Sequence, residues 1–126
     1  MRSVRHPDHP GLHIRVVLDG KVAIGPGKAD LLDGIAETGS IAAAGRRMGM
    51  SYKRAWTLVE AMNTMFAAPL VEAAKGGAGG GGANLTPLGA AMLAAYRRLQ
   101  ARAEDAATAE LTAMRDALSR GSPRKD

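Results

Sequence analysis

The chain has 126 residues, enough for one buried core and too few for two independent ones, and its 17 Lys and Arg against 12 Asp and Glu give a formal net charge of +5. It contains no cysteine, which excludes disulfides, thiolate metal centres, iron–sulfur clusters and cysteine nucleophiles and fits a cytoplasmic location. Aromatic residues make up only 3% while alanine is abundant, so the core is expected to be built from closely approaching helices; no apolar run reaches the ~20 residues that cross a bilayer, so no membrane partner is expected.

Residues 1–10 combine Pro7, Pro10, His6 and His9 with charges of both signs and are expected to form a flexible N-terminal arm. From Leu12 to Leu18 apolar and polar residues at first alternate as in a half-buried strand; Asp19-Gly20 predicts a tight hairpin turn and Lys21 to Ile24 the returning strand. Gly25-Pro26-Gly27 ends the hairpin. Leu31, Leu32, Ile35 and Ala36 then recur at helical spacing up to Gly39, a left-handed stop. Ser40 caps a second helix on which Ile41, Ala44, Gly45 and Met48 share a face until Gly49 breaks the pattern. Ser51 caps a third, with Ala55, Val59, Met62 and Phe66 as its apolar stripe and Leu58 beside it; Trp56 is expected to pack structurally.

Pro69 is expected to stop that helix. Leu70 to Ala74, the glycine-rich run 76–82 and Ala83 to Leu85 then predict a strand, a flexible tip and a second strand, which together make a wing. Thr86 and Pro87 open a long helix expected to run to about Leu118, with Met92, Tyr96, Leu99, Ala103 and Ala106 followed by Leu111, Met114 and Leu118 along its apolar side. That helix exceeds what one small core needs, so it is expected to pair with the same helix of a second copy, giving a homodimer. Residues 119–126 are expected to be a disordered tail. The fold class is mainly α with small β (α+β): a winged helix-turn-helix domain over 11–118 with an N-terminal β-hairpin, a Gly-rich wing and a long C-terminal dimerisation helix.

Charge is unevenly spread. No acidic residue lies between Glu37 and Glu60, where Arg46, Arg47, Lys53 and Arg54 fall, nor between Glu72 and Glu104, where Lys75, Arg97, Arg98 and Arg102 fall. Two helices joined by a tight glycine turn, the second beginning Ser51-Tyr52-Lys53-Arg54, match the arrangement that puts a recognition helix into the major groove of double-stranded DNA. Lys53, Arg54 and Thr57 are expected to face outward near its start, with Ser51 and Tyr52 at the leading edge. Ser40, Arg46 and Arg47 are expected at the phosphate backbone, with Lys75 at the base of the wing and Gly77, Gly79 and Gly80 offering main-chain N–H groups to phosphate. The glycine run lacks the Gly-Lys-Ser/Thr ending of a nucleotide-phosphate loop. His6, His9 and His13 lack further ligands, and Glu104-Asp105 has no His or Ser partner, so neither a metal site nor an enzyme is expected.

The run G-S-I-A-A-A-G-R-R-M-G-M-S-Y-K-R-A-W, then E-A-M-N, then G-G-A-G-G-G-G-A-N-L-T-P-L-G resembles the DNA-binding domain of the ModE family of molybdate-responsive transcription regulators over roughly Gly11 to Leu118. The second-helix portion is also similar to LysR-type regulators. The resemblance implies a homodimeric winged helix, with Ser51, Tyr52, Lys53 and Arg54 in the major groove and the glycine wing on the backbone; Arg54 departs from the small residue often found there. Complete members of that family continue into paired β-barrel domains that bind molybdate or tungstate. This chain stops after its long helix, so no cofactor is expected, and control is expected to be constitutive, through abundance, or through a separate partner. The function expected is sequence-specific transcription regulation; an architectural DNA-binding protein and a module pairing with another regulator are the alternatives.

Overall fold

A computed structural model describes residues 11–74 and 82–119. Val16–Leu18 (β1) and Lys21–Ile24 (β2) form an antiparallel hairpin. Its turn residues Asp19 and Gly20 have φ of 49° and 78°, the doubly positive geometry of a two-residue hairpin whose twist matches its strands. The first strand is shorter than its alternation predicts. Beyond the irregularity at Val16/Val17 its partner strand has turned into Gly25 and Pro26, and the Leu12–Arg15 stretch bonds elsewhere. Leu12 N–H donates to the Glu104 carboxylate (3.1 Å), and the buried Tyr96 hydroxyl donates to the Ile14 carbonyl (2.5 Å).

Pro26 opens a helix rather than closing the hairpin. It is the first residue of α1 (Pro26–Thr38), where its missing N–H has no intrahelical partner to lose. Gly39, in the left-handed conformation, returns its N–H to Ile35 and ends α1. Ser40 then caps α2 (Ile41–Arg47) and Ser51 caps α3 (Tyr52–Met65), each hydroxyl oxygen accepting the amide three residues on, as anticipated. Helix α3 ends at Met65, short of Pro69, and the apolar residue Phe66 stands just past it in extended backbone. The chain must reverse there to bring in β3 (Val71–Ala73), which pairs with β4 (Ala83–Leu85) to form the wing base.

Helix α4 (Pro87–Ala106) is capped by Thr86. The single long helix anticipated is interrupted: α4 stops at Ala106, and α5 (Thr108–Asp116) follows after Ala107. The Thr108 hydroxyl donates to the carbonyls of Asp105 (2.8 Å) and Glu104 (3.3 Å), competing with main-chain amides for the last turn of α4.

The core contains Leu31, Leu32, Ile35, Val59, Met62, Leu70 and Tyr96, all at 2% exposure or less. Ala36, expected on the inner face of α1, is exposed. Small residues set the helix contacts, as the alanine content suggests. A Cβ at Gly45 would lie 2.9 Å from the Ala55 Cβ, and one at Gly34 2.9 Å from that of Ala44, so α1, α2 and α3 pack at distances only glycine permits. Arg97, counted above in a basic stretch, bridges α4 to α1 by donating to Asp33 and, at 3.0 Å, to Asp30. Burial lowers its proton affinity, but the two carboxylates more than offset this and raise its pKa.

Candidate nucleic-acid interface

Helix α3 buries Ala55, Val59 and Met62. At about 100° per residue, the ridge opposite that stripe is Lys53, Thr57, Glu60 and Thr64, all exposed. Arg54 sits on one flank instead of on the ridge, because its angular position falls close to that of the half-buried Leu58 and Met65. There it lines an open cleft of about 430 Å³ with Arg15 and Lys28. Burial, followed by the nearby Arg15 charge, lowers the Lys28 pKa.

The opposite flank carries Tyr52, Trp56 and Asn63. Trp56 is therefore not a core residue: it is 37% exposed, and its indole N–H donates to the hydroxyl of Tyr52, itself 56% exposed. The signal was present in the sequence, since an aromatic four residues after another on a helix shares its face and Trp56 lies about 100° from the buried Ala55.

The remaining anticipated contacts divide by the hydrogen bonds they already make. Ser40 and Ser51 spend an acceptor on the Ala43 and Arg54 amides, leaving their hydroxyl protons to donate. Thr57 donates to the Lys53 carbonyl (2.9 Å), so its exposed hydroxyl keeps acceptor capacity for a further partner. Arg47 is paired with Glu37 at 2.8 Å, whereas Arg46 and Lys53 are exposed and make no ion pair among the described residues. Lys75, Gly77, Gly79 and Gly80 lie outside the described residues.

Asn63 had no motif to announce it. Thr86 N–H bonds the Leu70 carbonyl and Ala74 N–H bonds the Gly82 carbonyl, so in this antiparallel ladder the main-chain groups of Val71 turn away from β4. Asn63 meets them: its Oδ1 accepts from Leu70 N–H (2.8 Å) and Val71 N–H (3.1 Å), and its Nδ2 donates to the Val71 carbonyl (3.1 Å). The recognition-type helix and the wing are thereby held in one register. From the other side, Ala83 N–H bonds the Gly39 carbonyl (2.9 Å) and ties the wing to the α1–α2 turn.

Residues 28–90, half of the chain, match the family described as bacterial regulatory helix-turn-helix protein, lysR family. The chain belongs to the lysR family. Among curated proteins it is 53% identical over 78 residues to the molybdenum-pterin-binding protein MopB of Rhodobacter capsulatus, covering 62% of this chain and 29% of that protein. It is 42% identical over 79 residues to the DNA-binding transcriptional dual regulator ModE of Escherichia coli K12, covering 63% and 30%. The matched stretch is thus a ModE-like helix-turn-helix domain, and the chain spans about a third or less of the length of these relatives. Among solved structures, the CbnR_DBD–DNA complex superposes with a TM-score of 0.55 at 24% identity, covering 70% of this chain and 95% of that one, which gives the fold as a winged helix. The matched family is one of bacterial regulatory helix-turn-helix proteins. No helix among the described residues is long and apolar enough to cross a membrane.

Proposed function

We propose that the chain is a ModE-type, sequence-specific transcriptional regulator that binds operator DNA as a homodimer, with the first turn of α3 in the major groove and the wing on the adjacent backbone. The observation that carries this reading is the exposed start of α3, where Lys53 on the ridge, Arg54 and Tyr52 on the flanks and the Ser51 hydroxyl offer donors to base edges and phosphates. Arg46 adds a cation on the preceding helix, and Lys75 with Gly77, Gly79 and Gly80 is assigned to the wing's phosphate contacts. Exposed Leu99 on α4, Met114 on α5 and Leu118 just past the end of α5 support pairing of two copies through this C-terminal stretch. The proposal includes no cofactor, and molybdate is expected to leave the affinity of this chain unchanged.

The test is fluorescence anisotropy on a duplex enriched from a random pool and on a scrambled duplex, at several salt concentrations, with and without molybdate. A preference of ~10³ or more at physiological salt supports sequence-specific regulation, whereas equal binding to both duplexes rejects it in favour of an architectural role. Lys53→Ala is expected to cost on the order of 1–3 kcal/mol at one base-pair position if it reads a base, or to weaken all duplexes and lower the salt slope by about one if it holds a phosphate.

A further inference from the structure

We propose that Trp56 is a positioning residue for Tyr52: by donating its indole N–H to the Tyr52 hydroxyl oxygen, it commits that hydroxyl to giving its proton to an acceptor on the DNA. The inference rests on α3 being the DNA-reading helix, and it names the hydrogen-bond polarity that α3 presents. The direction of the Trp56–Tyr52 bond is unambiguous, because an indole N–H can only donate and a phenol oxygen can accept. A tyrosine hydroxyl without such a partner can accept from the exocyclic amines of cytosine or adenine as readily as it donates to N7, O6, O4 or a phosphate oxygen, so it discriminates poorly. With its acceptor side occupied, Tyr52 favours acceptors and mispairs with amines.

The pair has no use in the core. The inner face of α3 is Ala55, Val59 and Met62, while Tyr52 and Trp56 stand 56% and 37% exposed on the flank that Asn63 shares with the wing. The bond also restricts the Tyr52 ring before DNA arrives, which reduces the ordering lost on binding. Trp56 is the chain's one tryptophan, so the pair carries its own optical reporter.

The experiment uses the full chain and a duplex selected from a random pool. Wild type is first compared on selected and scrambled DNA, and equal binding there defeats the DNA-reading role itself. Given a preference, Tyr52→Phe is expected to weaken selected-duplex binding roughly 3- to 10-fold, the loss of one hydrogen bond. Trp56→Phe is expected to weaken it less, and the double variant to bind no worse than Tyr52→Phe, because Trp56 acts through that hydroxyl. A scan with 7-deazapurines and methylphosphonates should find one position to which wild type is sensitive and Tyr52→Phe is not; a deazapurine position identifies a base acceptor, a methylphosphonate position a phosphate. In the DNA-free protein, Tyr52→Phe should shift the Trp56 indole N–H resonance and speed its exchange. Additive losses in the double variant, wild-type affinity in Tyr52→Phe, or an unmoved indole resonance would each overturn the proposal, the last without relying on Trp56→Phe to fold.

Discussion

Replacing Asn63 by alanine tests whether one side chain joins the recognition helix to the wing. The substitution removes three hydrogen bonds and leaves the amides of Leu70 and Val71, residues 0% and 4% exposed, without their acceptor. An abandoned buried donor costs about 1–3 kcal/mol, and a made bond contributes about 0.5–1.5 kcal/mol net. Asn63 is only half-buried, so water can partly replace it, and the lower part of those ranges applies: about 2–4 kcal/mol in total. At about 4–5 °C per kcal/mol for a domain slightly over 100 residues long, the melting temperature should fall by roughly 8–20 °C. Urea unfolding followed by circular dichroism measures the loss, with Thr64→Ala as the neighbouring exposed control, expected within about 0.5 kcal/mol of wild type. Below its melting range, the Asn63→Ala protein should still bind DNA more weakly, because the wing has lost its tie to α3. An unfolding free energy within about 0.5 kcal/mol of wild type would refute the reasoning, since it would mean that the Leu70 and Val71 amides are satisfied without Asn63.

Gly45→Ala should destabilise by about 1–3 kcal/mol, because its Cβ meets that of Ala55 at 2.9 Å, and the swap Gly45→Ala with Ala55→Gly should recover most of the loss in urea titration, since helix propensity is then unchanged overall. Burial raises the Tyr96 pKa above its usual value near 10, so the unfolded chain gives up this proton first. The stabilisation is therefore fully present below pH 10 and lost as pH rises above it; Tyr96→Phe should flatten that alkaline decline in unfolding titrations while losing about 1 kcal/mol at neutral pH with its bond to Ile14. Met114→Glu combined with Leu118→Glu should convert a dimer to a monomer in light scattering and weaken operator binding; an unchanged mass would place the subunit contact elsewhere.

The parts of the fold legible from sequence are those decided within a few residues. Ser40, Ser51 and Thr86 cap helices through amides three positions on, Gly39 and Gly49 take left-handed backbone at helix ends, and Asp19-Gly20 makes its turn with no help from the rest of the molecule. What escaped depends on distant partners. Nothing near Arg97 shows that Asp30 and Asp33 lie against it, and nothing near Leu12 shows that Glu104 takes its amide and draws the stretch away from β2. The interruption at Ala107 is a different case. It is local, but a threonine at a helical position more often continues a helix, and only its bond back to Asp105 marks this one as a break. In the candidate site, Lys53 and Thr57 fall on the ridge as periodicity requires. Arg54 and Trp56 needed the angular position of every residue on α3, not merely its apolar stripe.

The distribution of partners explains why the start of α3, rather than either basic stretch as a whole, is the place where DNA is expected. Counted along the sequence, Arg46, Arg47, Lys53 and Arg54 form one basic group and Arg97, Arg98 and Arg102 most of another. In three dimensions Arg47 is drawn to Glu37 and Arg97 to Asp30 and Asp33, so each stretch loses a cation to contacts that hold α1 against α2 and α4. Lys53 and Arg54 meet no carboxylate among the described residues, and the cleft beside Arg54 adds Arg15 and Lys28. Burial first and the neighbouring Arg15 charge second lower the Lys28 pKa, and a phosphate backbone at this cleft would meet the cationic side chains of Arg15, Lys28 and Arg54 together. Arg15→Ala should therefore weaken binding to every duplex and flatten the salt dependence without changing base preference, whereas the ridge and the Tyr52–Trp56 flank should alter which sequence is preferred.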